Sequence, residues 1–420
     1  MEKFIIHGPN KLYGKIEVQS SKNSILPILS ACLLASGKVV LKNCPQITDI
    51  DNMLKILESL GCQTSFIDGT ITVDSQKASK YNISAELSKN LRSSIFMLGS
   101  ILSRFKHAVI AYPGGCDIGK RPIDLHIYGL KQLNAKVLEK ADEIECIGEN
   151  LEGNLVNLSF PSVGATENIM LAAAKANGIT TILNAAREPE IVDLQNFLNK
   201  MGAKISGAGT KKITITGVKD LKGVEYSPIF DRIVAGTLLI ATAMCGGEVL
   251  LENCNCGHLE SLIALLRKSA CKIMCINDKI YIESKNCLKA ALKIQTAPYP
   301  LFPTDLQAQM VAAMSVASGE SEIIETIFET RFKYIDELKK MGADIKIKEN
   351  LAIISGIKNL TGAKVFAKDL RGGAALCLAG LKACGVTEVY NIYHIDRGYQ
   401  NLEDMLSKLG ADIKRGRVEE

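Results

Sequence analysis

Residues able to do chemistry recur at one place in a repeating pattern. Lys22-Asn23, Arg92, Ser162-Val163-Gly164, Asp231-Arg232, Thr304-Asp305 and Leu370-Arg371 follow one another about every seventy residues. Each stands at or just ahead of a run of Ala, Gly, Ser and aliphatic residues, at 24–36, 94–105, 165–177, 233–245, 306–318 and 373–384. A helix with no polar face is a buried helix. Its start offers free N–H groups and the positive end of its dipole, both of which favour an anion. Ordinary capping accounts for Ser, Thr, Asp and Asn at such positions. It does not account for Lys22, Arg92, Arg232 and Arg371, because a cation at a positive helix end is locally unfavourable. The expectation is an electropositive cleft for an anionic small molecule.

A second signal is the string Pro113-Gly114-Gly115-Cys116-Asp117-Ile118-Gly119-Lys120-Arg121-Pro122-Ile123-Asp124-Leu125-His126. Three glycines around a cysteine, beside Lys120 and Arg121, predict a loop with an exposed thiol. A cationic, exposed neighbourhood is where a thiol becomes reactive; a surface cysteine without a role is the alternative. Arg397, in His394-Ile395-Asp396-Arg397, either adds to the cleft or pairs with Asp396. In Asn184-Ala185-Ala186-Arg187-Glu188-Pro189-Glu190-Ile191-Val192-Asp193, Glu188 and Glu190 are helix N-terminal charges or site groups. Cys254, Cys256, Cys271 and Cys275 lack zinc-type spacing and read as structural thiols. No Gly-rich phosphate loop, dinucleotide fingerprint or Ser/His/Asp arrangement is present, so neither a metal nor a nucleotide cofactor is expected.

The elements that position these residues also repeat. An amphipathic helix end followed by a strand occurs six times, with Gly, Asn or Ala at 61, 134, 202, 270, 342 and 410, the place of a left-handed helix cap. Each unit reads β-α-β-α-β-β, which makes an α/β chain of six repeats. A strand leading to Gly-x-x-x-Leu-x-Gly closes units at 213–223 and 352–362, and a spare copy lies at 4–14. The sixth unit lacks such a strand. Three units over 21–229 are therefore expected as one domain, and 1–20 plus 230–420 as the other, with the chain crossing twice at a hinge. Because the candidate residues divide between these domains, closure on binding is expected.

The chain has 420 residues, 47% hydrophobic and 23% charged, with a net charge of +5. This is a globular balance, and the charge is too mild to indicate nucleic-acid binding. The longest apolar stretches contain Pro, Lys or Gly and fall short of a membrane span. Thirteen cysteines, irregularly spaced behind an N-terminus without signal-peptide layout, predict free thiols in a reducing cytoplasm.

The Cys116 string and the Asn184 to Asp193 string resemble those of the enolpyruvyl transferases, on the branch that uses a sugar nucleotide rather than shikimate 3-phosphate. The likeness runs over essentially the whole chain. It implies two inside-out α/β domains of three units each. It also implies transfer of the enolpyruvyl group from phosphoenolpyruvate to the 3′-hydroxyl of UDP-N-acetylglucosamine (UDP-GlcNAc), the first committed step of peptidoglycan synthesis. By the same resemblance Lys22, Arg121 and Arg397 hold the phosphoenolpyruvate phosphate, with Asn23 beside them, and Arg331 and Arg371 fork its carboxylate. Asp305 is the implied general base and Cys116 the implied general acid, open to fosfomycin. Asn23, Arg92, Arg121, Pro122, Ile123, Asp124, Leu125, Ser162, Val163, Gly164, Asp305 and Ile327 match acceptor contacts. Phe160 stands where some members carry a Lys, and Thr330 where some carry Asn. A shikimate-type transferase and a non-catalytic UDP-GlcNAc-binding paralogue are the alternatives. Oligomeric state is not legible.

Overall fold

The computed structural model describes residues 2–114, 119, 122–285 and 287–417. It holds two compact units. Among the described residues, one contains 20–114 and 122–229; the other contains 2–19, 119 and 230–417.

Each unit is built from the same piece three times. In the third copy, Leu155–Asn157 runs parallel to Ile179–Leu183. That strand pairs antiparallel with Lys212–Thr216, which in turn pairs with Lys204–Ser206. All six four-stranded sheets follow this order, but the chain does not always supply a sheet from consecutive residues. Glu225–Tyr226 joins Lys38–Leu41 of the first sheet. Leu12–Glu17 joins Gly247–Glu252 of the fourth. Glu2–Gly8 inserts between Gly385–Tyr390 and Ile413–Arg417 of the sixth.

The apolar helices lie inside, as their lack of a polar face requires. They are Lys22–Cys32, Met97–Phe105 and Val163–Ala173 in the first unit. In the second they are Arg232–Cys245, Gln307–Met314 and Leu370–Lys382. Every residue of Arg232–Cys245 is buried. Within each unit the three helices touch one another, and small residues permit this: a Cβ on Gly99 would lie 2.3 Å from the Asn168 carbonyl oxygen. Several of these helices end before the predicted limits. Their last Ala, Ser or Asn residues leave the helix and bridge to neighbouring backbone instead, as at Asn177 with Glu152 and Ser318 with Lys289.

The amphipathic helices cover the trios, and each stops on a left-handed residue. These are Gly61, Asn134, Gly202, Ala270, Gly342 and Gly410, with φ of 98°, 66°, 109°, 74°, 91° and 90°. Ala270 adopts this conformation despite its Cβ, at a cost of roughly 1–2 kcal/mol.

Free thiols throughout is an expectation the structure corrects. Cys256 and Cys275 form a disulfide between residues 19 apart. Gly247–Glu252 and Lys272–Ile276 both flank Lys279–Ser284, so the edge strand carries Cys275 back beside the turn that leaves Glu252. Cys254 and Cys271 stay free and buried, and burial pushes the Cys271 thiol up to about 11. No described helix is long and apolar enough to cross a membrane.

Candidate active site

In the first unit the singled-out residues gather at helix starts. Lys22 opens Lys22–Cys32, next to the half-buried Asn23. Its Nζ lies 3.2 Å from Asp49 Oδ2, in a pair whose side chains are 13% and 2% exposed. Arg92 opens a short 3-10 turn, Arg92–Phe96, and donates from Nη1 to the Pro113 carbonyl at 3.3 Å. Ser162 caps Val163–Ala173 by accepting from the Ala165 N–H, and Val163 and Gly164 form the first turn. Pro122, Ile123, Asp124 and Leu125 lead into Asp124–Gln132. Phe160 is 44% exposed and apolar, so no cation stands at that position. Cys116 and Arg121 lie outside the described residues.

The second unit assembles a denser cluster. Asp305 sits in the 3-10 turn Thr304–Leu306, ahead of Gln307–Met314. Its Oδ1 accepts from Arg331 Nη2 at 2.9 Å and its Oδ2 from Arg371 Nη2 at 3.2 Å. The two arginine side chains are 3% and 4% exposed, whereas that of Asp305 is 29% exposed. Arg331 Nε and Arg371 Nη1 are buried with no hydrogen-bond partner among the described residues. Burial works against the charge of Arg371, but Asp305, Tyr399 and Asp231 around it outweigh that and raise its pKa above the ordinary value. Asp369 caps the helix that carries Arg371, accepting the N–H groups of Arg371 and Gly372 at 2.9 Å each. Asp231 does the same for Ile233 and Val234 at 2.8 and 3.0 Å.

Two buried guanidinium groups that grip one partly exposed carboxylate, with donors left over, suit a second carboxylate. A buried N–H without a partner costs about 1–3 kcal/mol, and a fork of N–H groups matches a carboxylate in shape and charge.

Other positions resolve differently. Both oxygens of Asp396 are taken by Arg415, at 2.7 and 3.0 Å, so Asp396 does not depend on its half-buried neighbour Arg397. Ile327 donates its N–H to Glu325 at 2.8 Å. Glu188 is the N-cap of Pro189–Met201, and Glu190 lies in its first turn. Among the described residues no group of three or more His, Cys, Asp or Glu side chains is placed to hold a metal. Asp49 escaped the sequence reading. Its signal was an acidic first turn in Thr48–Ser59, but nothing linear connects it with Lys22.

The sequence model of the EPSP synthase (3-phosphoshikimate 1-carboxyvinyltransferase) family matches residues 6–406. The chain is 53% identical over 415 residues to UDP-N-acetylglucosamine 1-carboxyvinyltransferase 2 of Caldanaerobacter subterraneus subsp. tengcongensis, covering 99% of this chain and 100% of that one. It is 49% identical to the protein of the same name from Carboxydothermus hydrogenoformans, covering 99% of each. Among solved structures, the enolpyruvyl transferase NikO from Streptomyces tendae superimposes with a TM-score of 0.89 at 24% identity, over 100% of this chain and 99% of that one. An EPSP synthase from Acinetobacter baumannii gives 0.75 at 18%, over 99% of this chain and 100% of that one. At such identities these structures show the fold.

Proposed function

The chain belongs to the EPSP synthase (3-phosphoshikimate 1-carboxyvinyltransferase) family, and on that premise we propose that it transfers the enolpyruvyl group of phosphoenolpyruvate to the 3′-hydroxyl of UDP-GlcNAc, releasing phosphate. The acceptor follows the relatives at 53% and 49% identity. The reaction is the first committed step of peptidoglycan synthesis, and we read the chain as cytoplasmic: the described thiols that stay free fit a reducing compartment, and the Cys256–Cys275 disulfide is the exception to that reading.

The observation that carries this reading is the pair of unpartnered donors, Arg331 Nε and Arg371 Nη1, beside Asp305. They receive the carboxylate of phosphoenolpyruvate. Lys22, Arg121 and Arg397 hold its phosphate, and Asn23 lies beside them. The acceptor takes Asn23, Arg92, the segment 121–125, Ser162 to Gly164, Asp305 and Ile327.

Asp305 is held in place by its ion pairs with Arg331 and Arg371, and its partly exposed carboxylate is the group that meets the acceptor hydroxyl. Asp305 then takes the 3′-hydroxyl proton as that oxygen bonds to C2 of phosphoenolpyruvate, and Cys116 delivers a proton to C3. The tetrahedral ketal so formed loses phosphate as the C2–O bond breaks. Loss of a C3 proton regenerates the double bond.

Arg331→Ala and Arg371→Ala test the carboxylate fork. Each is expected to raise KM for phosphoenolpyruvate by about a hundredfold and to change the Kd for UDP-GlcNAc much less. An unchanged KM for phosphoenolpyruvate in both would remove the fork from the mechanism.

A further inference from the structure

Three helices of the first unit meet at a side chain to which the proposed reaction gives no role. Asn168 lies one turn beyond Gly164 in Val163–Ala173 and is fully buried. Its Oδ1 accepts the N–H of Gly99, in the first turn of Met97–Phe105, at 2.7 Å. Its Nδ2 lies 3.1 Å from Nδ1 of His126, on Asp124–Gln132. A backbone N–H only donates, so the amide oxygen must face Gly99 and the amide NH2 must face the imidazole. The ring nitrogen opposite an NH2 must then accept. A proton on His126 Nδ1, in the other tautomer or in the charged ring, would set two donors against each other inside the packed core. His126 therefore carries its proton on Nε2.

That nitrogen stands at the entrance to the helix. A Cβ on Gly164 would come within 3.1 Å of His126 Cε1 and 3.2 Å of His126 Nε2, with Phe96 on the other side at 3.1 Å. Glycine at 164 is what lets the ring lie against the first turn. The N–H groups of that turn are where the helix end favours an anion.

We propose that Asn168 is a positioning residue for acceptor binding: it holds His126 as the neutral Nε2–H tautomer, an uncharged donor beside the helix start, Ser162 to Gly164, that is proposed above to contact the acceptor. This rests on the acceptor site proposed above. Asn168 ties the donor to two other helices, so the ring and the helix N-terminus keep one register.

Nitrogen NMR of the full chain labelled at histidine tests the first half. The wild type is expected to show the Nε2–H tautomer at His126. In Asn168→Asp one oxygen still accepts from Gly99 while the other now faces the ring as an acceptor, so a proton is expected on Nδ1. Titration of UDP-GlcNAc tests the second half. Its Kd is expected to rise about tenfold in Asn168→Asp, the worth of one buried hydrogen bond. His126→Gln, which keeps a donor near the Nε2 position, is expected to bind more tightly than His126→Ala. If Asn168→Asp does not fold, the wild-type spectrum and the two His126 variants decide. An Nδ1–H ring in the wild type, or equal Kd values for His126→Gln and His126→Ala, would overturn the proposal. Because binding is read rather than turnover, a chain that binds UDP-GlcNAc without transferring enolpyruvate would defeat the transferase reading and leave this one standing.

Discussion

Asp305 is held by Arg331 and Arg371, which are almost wholly buried while it is not. That asymmetry suits a carboxylate that must meet a substrate, anchored by cations that need not move. Asp305→Ala is expected to lower kcat by three orders of magnitude or more, about 4 kcal/mol of transition-state stabilisation, and Cys116→Ser to abolish turnover. Both should still bind UDP-GlcNAc, and turnover close to wild type in both would defeat the assignment. At this scale the sequence was informative about single positions and silent about partners. Asp305 and Arg371 stood out because the repeat placed them at helix starts, whereas Arg331 emerged only from the family likeness. The pairs Lys22 with Asp49 and His126 with Asn168 join residues far apart in the chain, so no spacing rule reaches them.

The buried helices carry polar groups that their apolar runs conceal. Glu167, inside Val163–Ala173, has both carboxylate oxygens buried without a hydrogen-bond partner among the described residues. Burial, then Glu190 and Glu188, raise its pKa well above the ordinary 4.5. The native state thus keeps a proton that the unfolded chain loses once pH passes that value. The native state binding more protons means that stability falls as pH rises, by up to about 1.4 kcal/mol per pH unit. Glu167→Gln mimics the protonated acid, so its Tm is expected to fall less steeply than the wild type's between about pH 5 and pH 8. Parallel Tm profiles would show that Glu167 holds no such proton. Helix ends were partly legible. The left-handed stops at 61, 134, 202, 342 and 410 are Gly or Asn, the residues that tolerate them. Ala270 makes the same stop without that advantage, and only its place in the repeat marks it. Several apolar runs continue past the end of their helix, because Ala, Ser and Asn serve a helix and the bridge after it equally well.

Six sheets with one strand order are the structural counterpart of a spacing of about seventy residues. The α/β class and the sixfold repeat were readable because every copy keeps its amphipathic helix end. Pairing across the chain was less readable. The Cys256–Cys275 disulfide depends on two strands sharing a third, and local thiol spacing does not encode that. In the function proposed for the chain, arginines and helix starts that tolerate anions serve phosphoenolpyruvate and a nucleotide sugar together. The most direct test is phosphate release from phosphoenolpyruvate by the full chain, offered UDP-GlcNAc or shikimate 3-phosphate as acceptor. Release that requires UDP-GlcNAc, with none above background for shikimate 3-phosphate, is the predicted result; release with shikimate 3-phosphate but not with UDP-GlcNAc would contradict it.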